Sequence, residues 1–172
     1  MKEKATEKLA NPARRQLLLG KQPDSPQLRL PWVTDEANFL EHCTQCEECV
    51  KVCETNIIQH DQAGYPYINF QHDECTFCQQ CIDVCDQTFF LPALERDSTK
   101  PWSMKLVITD QCFALNHIFC QSCQDVCEPQ AIRFYYKNAG TPAPNLATDQ
   151  CHQCGACVSV CPSNAIQHLF YS

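Results

Sequence analysis

The chain has 172 residues, enough for one ordinary domain or two small ones. Its 44% hydrophobic content includes 16 cysteines, and without them only about 35% of the chain is apolar, a thin supply for a core at this length. The formal charge of −7 argues against nucleic acid and anionic membrane surfaces as partners, and no run of about 18 apolar residues is present to span a bilayer.

Residues 1–30 read as a basic tail. They hold seven of the 13 lysines and arginines (Lys2, Lys4, Lys8, Arg14, Arg15, Lys21, Arg29) against Glu3, Glu7 and Asp24, so a +4 arm precedes a −11 body. Such asymmetry suits an arm that binds a partner or docks on its own body; a solvated tail is the plainer alternative. Arg14-Arg15 followed by Leu17-Leu18-Leu19 hints at a twin-arginine export signal. The apolar run stops at Gly20-Lys21, far short of the about 7–15 residues that such a signal needs, so the expected location is the cytoplasm.

Two halves follow, at 31–92 and 101–172, joined by a polar link at 93–100. They read as an internal duplication: Pro31-Trp32 precedes Cys43 much as Pro101-Trp102 precedes Cys112. In the first half, 50–52 suits a helical turn, 56–59 is strand-like, and Gly64 marks a turn. In the second, 105–109, 131–136 and 165–168 are strand-like, 158–160 suits a helical turn, and Pro142-Ala143-Pro144 marks a turn. The expected order in each half is β-α-β-β-α-β, an α+β, ferredoxin-like pattern repeated in tandem with little regular secondary structure. Ile57, Phe70, Ile132, Phe134 and Ile166 are expected to pack as core rather than line a ligand pocket.

All 16 cysteines fall into four groups: Cys43, Cys46, Cys49 and Cys53; Cys75, Cys78, Cys81 and Cys85; Cys112, Cys120, Cys123 and Cys127; Cys151, Cys154, Cys157 and Cys161. Three groups read C-x2-C-x2-C-x3-C, the bacterial spacing for a [4Fe–4S] cluster. Disulfides would not persist in a reducing cytosol, and structural zinc sites normally join two separate C-x2-C pairs. The expectation is therefore four [4Fe–4S] clusters that staple a chain too poor in apolar residues to fold well without them. With four thiolates each, the clusters would add about −8 to the charge.

In two-cluster ferredoxins the fourth cysteine of each run serves the other cluster. The expected sets are thus Cys43, Cys46, Cys49 with Cys85; Cys75, Cys78, Cys81 with Cys53; Cys112, Cys120, Cys123 with Cys161; and Cys151, Cys154, Cys157 with Cys127. The third run is stretched to C-x7-C-x2-C-x3-C, and His117 stands three positions before Cys120, where an ordinary run has cysteine. Either Cys112 reaches in over the longer loop, the favoured reading because thiolate is the usual ligand, or His117 replaces it. Proline follows the last cysteine only at Cys161-Pro162; Glu54, Asp86 and Glu128 hold the other three places, which predicts looser, oxygen-sensitive centres in groups one to three. His42 and His152 adjoin candidate ligands as hydrogen-bond partners of sulfur or as exposed loop residues. No Ser-His-Asp order, phosphate-cradling glycine loop or carboxylate pair stands out, and no enzymatic activity is expected.

Taken together, Arg14-Arg15, Pro31-Trp32, the four cysteine groups, the stretched third group and Cys127-Glu128-Pro129 resemble the NapF family of ferredoxin-type proteins of the periplasmic nitrate reductase system. The resemblance implies a cytoplasmic iron–sulfur protein that binds the precursor of the molybdenum-containing catalytic subunit, NapA, before export. It implies help in acquiring or keeping that subunit's own [4Fe–4S] cluster, with the tail carrying Arg14 and Arg15 as a candidate contact. An electron carrier between a donor and a reductase is the alternative that cluster chemistry alone allows.

Overall fold

The computed structural model describes residues 27–136 and 140–170. Arg14 and Arg15, with the rest of the tail to residue 26, lie outside the described residues. Of the tail's last residues, Leu28 and Leu30 are buried at 3% and 2% exposure, and the Leu28 carbonyl accepts the Ile68 N–H at 2.6 Å. The packed body therefore begins before Pro31.

Helix α1 (Glu36–His42) starts where Asp35 accepts the Asn38 N–H at 2.8 Å, and it buries Phe39 completely. It was not legible in the sequence because a single large apolar residue, Phe39, does most of its docking. Arg29 ties this region down. Its guanidinium reaches Glu36 at 3.0 Å and Asp61 at 2.8 Å and lies 5.6 Å from the centre of the Phe39 ring. Burial pushes the Asp61 carboxyl up, but Arg29 and the Tyr65 and Ala63 amides outweigh it and hold the group below its ordinary range.

The first half continues through α2 (Glu48–Lys51), the antiparallel pair β1 (Ile58–His60) and β2 (Pro66–Ile68), and α3 (Gln80–Asp83). Its outer strand pair is reduced to a single bridge between Val33 and Phe90. The link holds a further turn, α4 (Ala93–Arg96), and is folded onto the body: Arg96 donates to the Leu91 carbonyl at 2.7 Å and to Gln79 at 2.9 Å.

The second half has β3 (Met104–Ile108), a 3-10 turn at Ala114–Asn116, α5 (Ser122–Asp125), β4 (Ile132–Tyr135), β5 (Ala143–Leu146), α6 (Ala156–Ser159) and β6 (Ile166–Phe170). Strand β3 pairs with β6 and β4 with β5, both antiparallel, so this half shows the full β-α-β-β-α-β order. Pro144, expected in a turn, lies within β5 opposite Phe134. A two-stranded ribbon has only edges, and proline is tolerated where its missing N–H has no partner to serve. Ile57, Phe70, Ile132 and Ile166 are buried as expected; Phe134 is half-buried.

The halves are stitched together by their two tryptophans. The Trp102 indole N–H donates to the Arg29 carbonyl at 2.8 Å, and that of Trp32 donates to Thr99 at 3.0 Å. The Trp32 amide also donates to the Pro101 carbonyl at 2.7 Å. Phe70 packs edge-on against Trp102 at 5.6 Å and fills the space beside Gly155, where a Cβ would fall 2.1 Å from the ring. One cross-link involves the cysteines themselves: the Cys75 N–H donates to the Cys154 carbonyl at 2.8 Å.

Candidate metal centres

Four-residue helices are too short to be stable alone, so the turns α2, α3, α5 and α6 depend on their surroundings. Each contains the third cysteine of its group, Cys49, Cys81, Cys123 or Cys157, and ends two residues before the fourth. The expected turns at 50–52 and 158–160 thus start earlier and enclose the ligand candidate itself.

The loops before these turns are shaped by left-handed residues. Two positions after the first cysteine stand Gln45, Phe77 and Gln153, with φ of 56°, 56° and 67°, and two further on stand Glu47, Gln79 and Gly155 at 66°, 61° and 89°. Each non-glycine residue held there costs about 1–2 kcal/mol. The first of each pair turns its N–H back toward the preceding thiol, so that Gln45, Phe77 and Gln153 hydrogen-bond Cys43, Cys75 and Cys151. The stretched third loop has one such residue, His117 at 64°, and Gln121 at the second place has returned to a φ of −137°.

Past the fourth cysteines, Asn56, Gln130 and Asn164 are also left-handed, and the amides of Ala131 and Ala165 point at Cys127 Sγ (3.2 Å) and Cys161 Sγ (3.3 Å). Sequence reasoning missed all of these positions. Gly155, Asn56 and Asn164 carry residue types that signal the conformation; glutamine, glutamate and phenylalanine do not.

The thiols' electrostatic neighbours reveal which groups meet. The charges that raise Cys49 come from Cys43, Cys46 and Cys85, and those that raise Cys81 include Cys75, Cys78 and Cys53. Cys123 feels Cys112, Cys161 and Cys120, and Cys157 feels Cys151, Cys154, Cys123 and Cys127. Each set of three has the fourth cysteine of the other run in its half as a neighbour, and Cys81 and Cys157 also feel that run's third cysteine, Cys49 and Cys123. Cys112 stands among the third set, whereas His117 is exposed. The His42 ring faces the Asn38 carbonyl at 3.0 Å, and His152 is exposed.

Burial is the main reason these thiols resist ionisation. It pushes Cys49, Cys81 and Cys123 up to about 12 and Cys75 to about 11, and it raises Cys157 further still. The third cysteine of every group is strongly affected because it sits on the inward helical turn, while Cys46 and Cys78 are exposed. Thiols that hold their protons this firmly become ligands only when a cation displaces those protons.

Among the described residues, no three His, Cys, Asp or Glu side chains converge as ligands of one ion. Cys43, Cys46, Cys49 and Cys85 instead border a cavity of about 30 Å³, closed from behind by Leu30, Phe39, Phe89 and Phe90. Four thiols around one space, in the spacing of cluster-binding loops, suit a cube of irons that each take one sulfur.

Residues 42–88 and 118–165 each match the 4Fe-4S dicluster domain family, which makes the chain an iron–sulfur protein with two dicluster repeats. The second match begins beyond Cys112. The chain is also 41% identical over 155 residues to the ferredoxin-type protein NapF of Escherichia coli (strain K12), covering 90% of this chain and 92% of that one. Against the ferredoxin-type protein NapF of Haemophilus influenzae, identity is 48% over 139 residues, 81% of this chain and 77% of that one. The chain belongs to the NapF family of ferredoxin-type proteins. No helix among its described residues is long and apolar enough to cross a membrane.

Proposed function

We propose that this protein binds four [4Fe–4S] clusters and, in the cytoplasm, assists maturation of the NapA precursor before export, by supplying or maintaining that subunit's own cluster. It acts as a binding protein, not an enzyme, built as two ferredoxin-like halves in tandem. The observation that carries the cluster assignment is the crossed completion of every cysteine trio by a cysteine from the neighbouring run.

In this reading Cys43, Cys46, Cys49 and Cys85 hold the first cluster, and Cys75, Cys78, Cys81 and Cys53 the second. Cys112, Cys120, Cys123 and Cys161 hold the third, and Cys151, Cys154, Cys157 and Cys127 the fourth. A bound cluster supplies one-electron chemistry and a store of iron and sulfide. The chain's own residues orient the thiols through the left-handed loops, direct amides at sulfur, and exclude water behind the inner cysteines with residues such as Phe39 and Phe89. Membership of the NapF family, the acidic body and the short apolar run after Arg14-Arg15 support the maturation role and the cytoplasmic location.

An electron carrier is the second reading, and one observation favours it. Cys81 feels Cys49 within the first half, Cys157 feels Cys123 within the second, and Cys75 is hydrogen-bonded to Cys154 between them, so the four thiol sets form an unbroken series. The test mixes anaerobic holo-protein with the NapA precursor, with and without its signal peptide, and follows complex formation and labelled iron. Maturation predicts a stable, precursor-selective complex. Fast electron exchange with no stable complex would replace it with the carrier.

A further inference from the structure

We propose that the stretched loop between Cys112 and Cys120 is a docking surface for a polypeptide segment that presents aliphatic side chains flanked by lysine or arginine. The inference does not depend on which protein carries that segment, and so stands apart from the maturation reading.

The loop differs from its three counterparts in composition. Where they carry pairs such as Thr44-Gln45 or His152-Gln153, it carries Phe113, Leu115, Ile118 and Phe119, exposed by 36%, 44%, 54% and 70%. Single exposed apolar residues are ordinary, as with Leu94 at 95%; four in seven residues of one loop, in a chain short of apolar residues, are not. The 3-10 turn of the loop packs on β5, whose partner strand β4 adds Tyr135, 51% exposed and opposite Ala143.

The loop is also held in shape. The Asn116 side chain donates to the Asp110 and Cys112 carbonyls at 2.6 and 2.9 Å, and the Ile118 N–H donates to Phe113 at 2.9 Å. Buried Ala114 anchors it beneath. An apolar surface fixed before binding loses little entropy when covered, which favours recognition.

Charge selects the partner. From residue 106 to 132 the chain carries Asp110, Asp125 and Glu128 and no lysine or arginine. The next cation, Arg133, is turned onto Gln130 at 3.2 Å. An apolar patch in an acidic field attracts a segment that is both aliphatic and basic, and repels an acidic one.

The test uses anaerobic full-length holo-protein and three labelled synthetic peptides of equal length: lysine–leucine, lysine–serine and glutamate–leucine. Wild type should bind the first at least about tenfold more tightly than either of the others. Ile118→Ser/Phe119→Ser should weaken that binding about tenfold at unchanged iron content, whereas Leu94→Ser should not. If the double variant loses iron, Leu115→Ser with wild-type iron content takes its place under the same criterion. Unchanged binding by the loop variants, or equal binding of lysine–leucine and lysine–serine peptides, would overturn the proposal. So would peptide binding that appears only after residues 1–26 are removed, which makes the chain's own tail the occupant, or a dimer that the loop substitutions dissociate. Should the NapA precursor fail to bind wild type while the peptide results hold, the maturation reading falls and the surface remains.

Discussion

Gly155→Ala probes the seam between the halves and the ligand loop beside it, leaving every cysteine in place. At φ of 89°, Gly155 holds a conformation that an L side chain adopts only with strain, and its new Cβ would meet Phe70 Cδ1 at 2.1 Å and Cγ at 2.3 Å. The left-handed backbone costs alanine about 1–2 kcal/mol, and forcing a methyl into packed space costs about 1–3 kcal/mol more. Phe70 is 3% exposed and pinned edge-on by Trp102, so it has little room to yield. The combined cost of about 2–5 kcal/mol is a large share of the about 5–15 kcal/mol that stabilises a domain. Iron loss makes unfolding irreversible, so the assay is the unfolding rate of anaerobic holo-protein at fixed guanidinium, followed by tryptophan fluorescence. The variant should unfold at least about tenfold faster, equivalent to about 1.4 kcal/mol of the cost falling on that step. Adding Phe70→Ala removes the clash, so the two substitutions should cost less together than in sum. A Gly155→Ala rate within about twofold of wild type would refute the seam as described.

Arg29→Ala strands the Asp61 carboxyl, whose side chain is only 7% exposed, and should cost about 2–4 kcal/mol, read in the same unfolding assay. Because Asp61 titrates below its ordinary range, the wild-type pair is fully in place at neutral pH and its contribution fades as pH falls through the acid range; the variant should lose that acid-side dependence. Cys112→Ala should remove about four iron atoms per chain, one cluster's worth, and His117→Ala none; the reverse result would move the ligand role to His117. Burial holds His168 below the ordinary imidazole range, so the unfolded chain takes up a proton first and stability declines as pH drops below about 6.5. In the same unfolding assay His168→Gln should therefore accelerate less than wild type between pH 7.5 and 5.5, and an equal acceleration would contradict the assignment.

The cysteine runs were legible because ligand spacing is written directly in sequence, and the duplication followed from the same spacing. The inner strand pairs emerged near their expected places: 56–59 became Ile58–His60 and 131–136 became Ile132–Tyr135. The first half's outer pair shrank to the Val33–Phe90 bridge because helix α1 and the Leu28–Leu30 segment cover the hydrophobic surface there instead. What stayed hidden depended on contacts distant in sequence. Arg29 gives no sign that it will reach Asp61, 32 residues away, and the reciprocal tryptophan bonds connect positions 67 and 73 residues apart. The left-handed loop residues were hidden for a different reason: the chain holds glutamine, glutamate and phenylalanine in a conformation for which glycine is the usual marker.

Iron and acid-labile sulfide per chain, measured on anaerobically purified protein together with its Mössbauer spectrum, test the central claim most directly. Four cubes predict about 16 irons and about 16 sulfides, all in [4Fe–4S] signatures. A folded, colourless protein that holds zinc, or no metal at all, would contradict it.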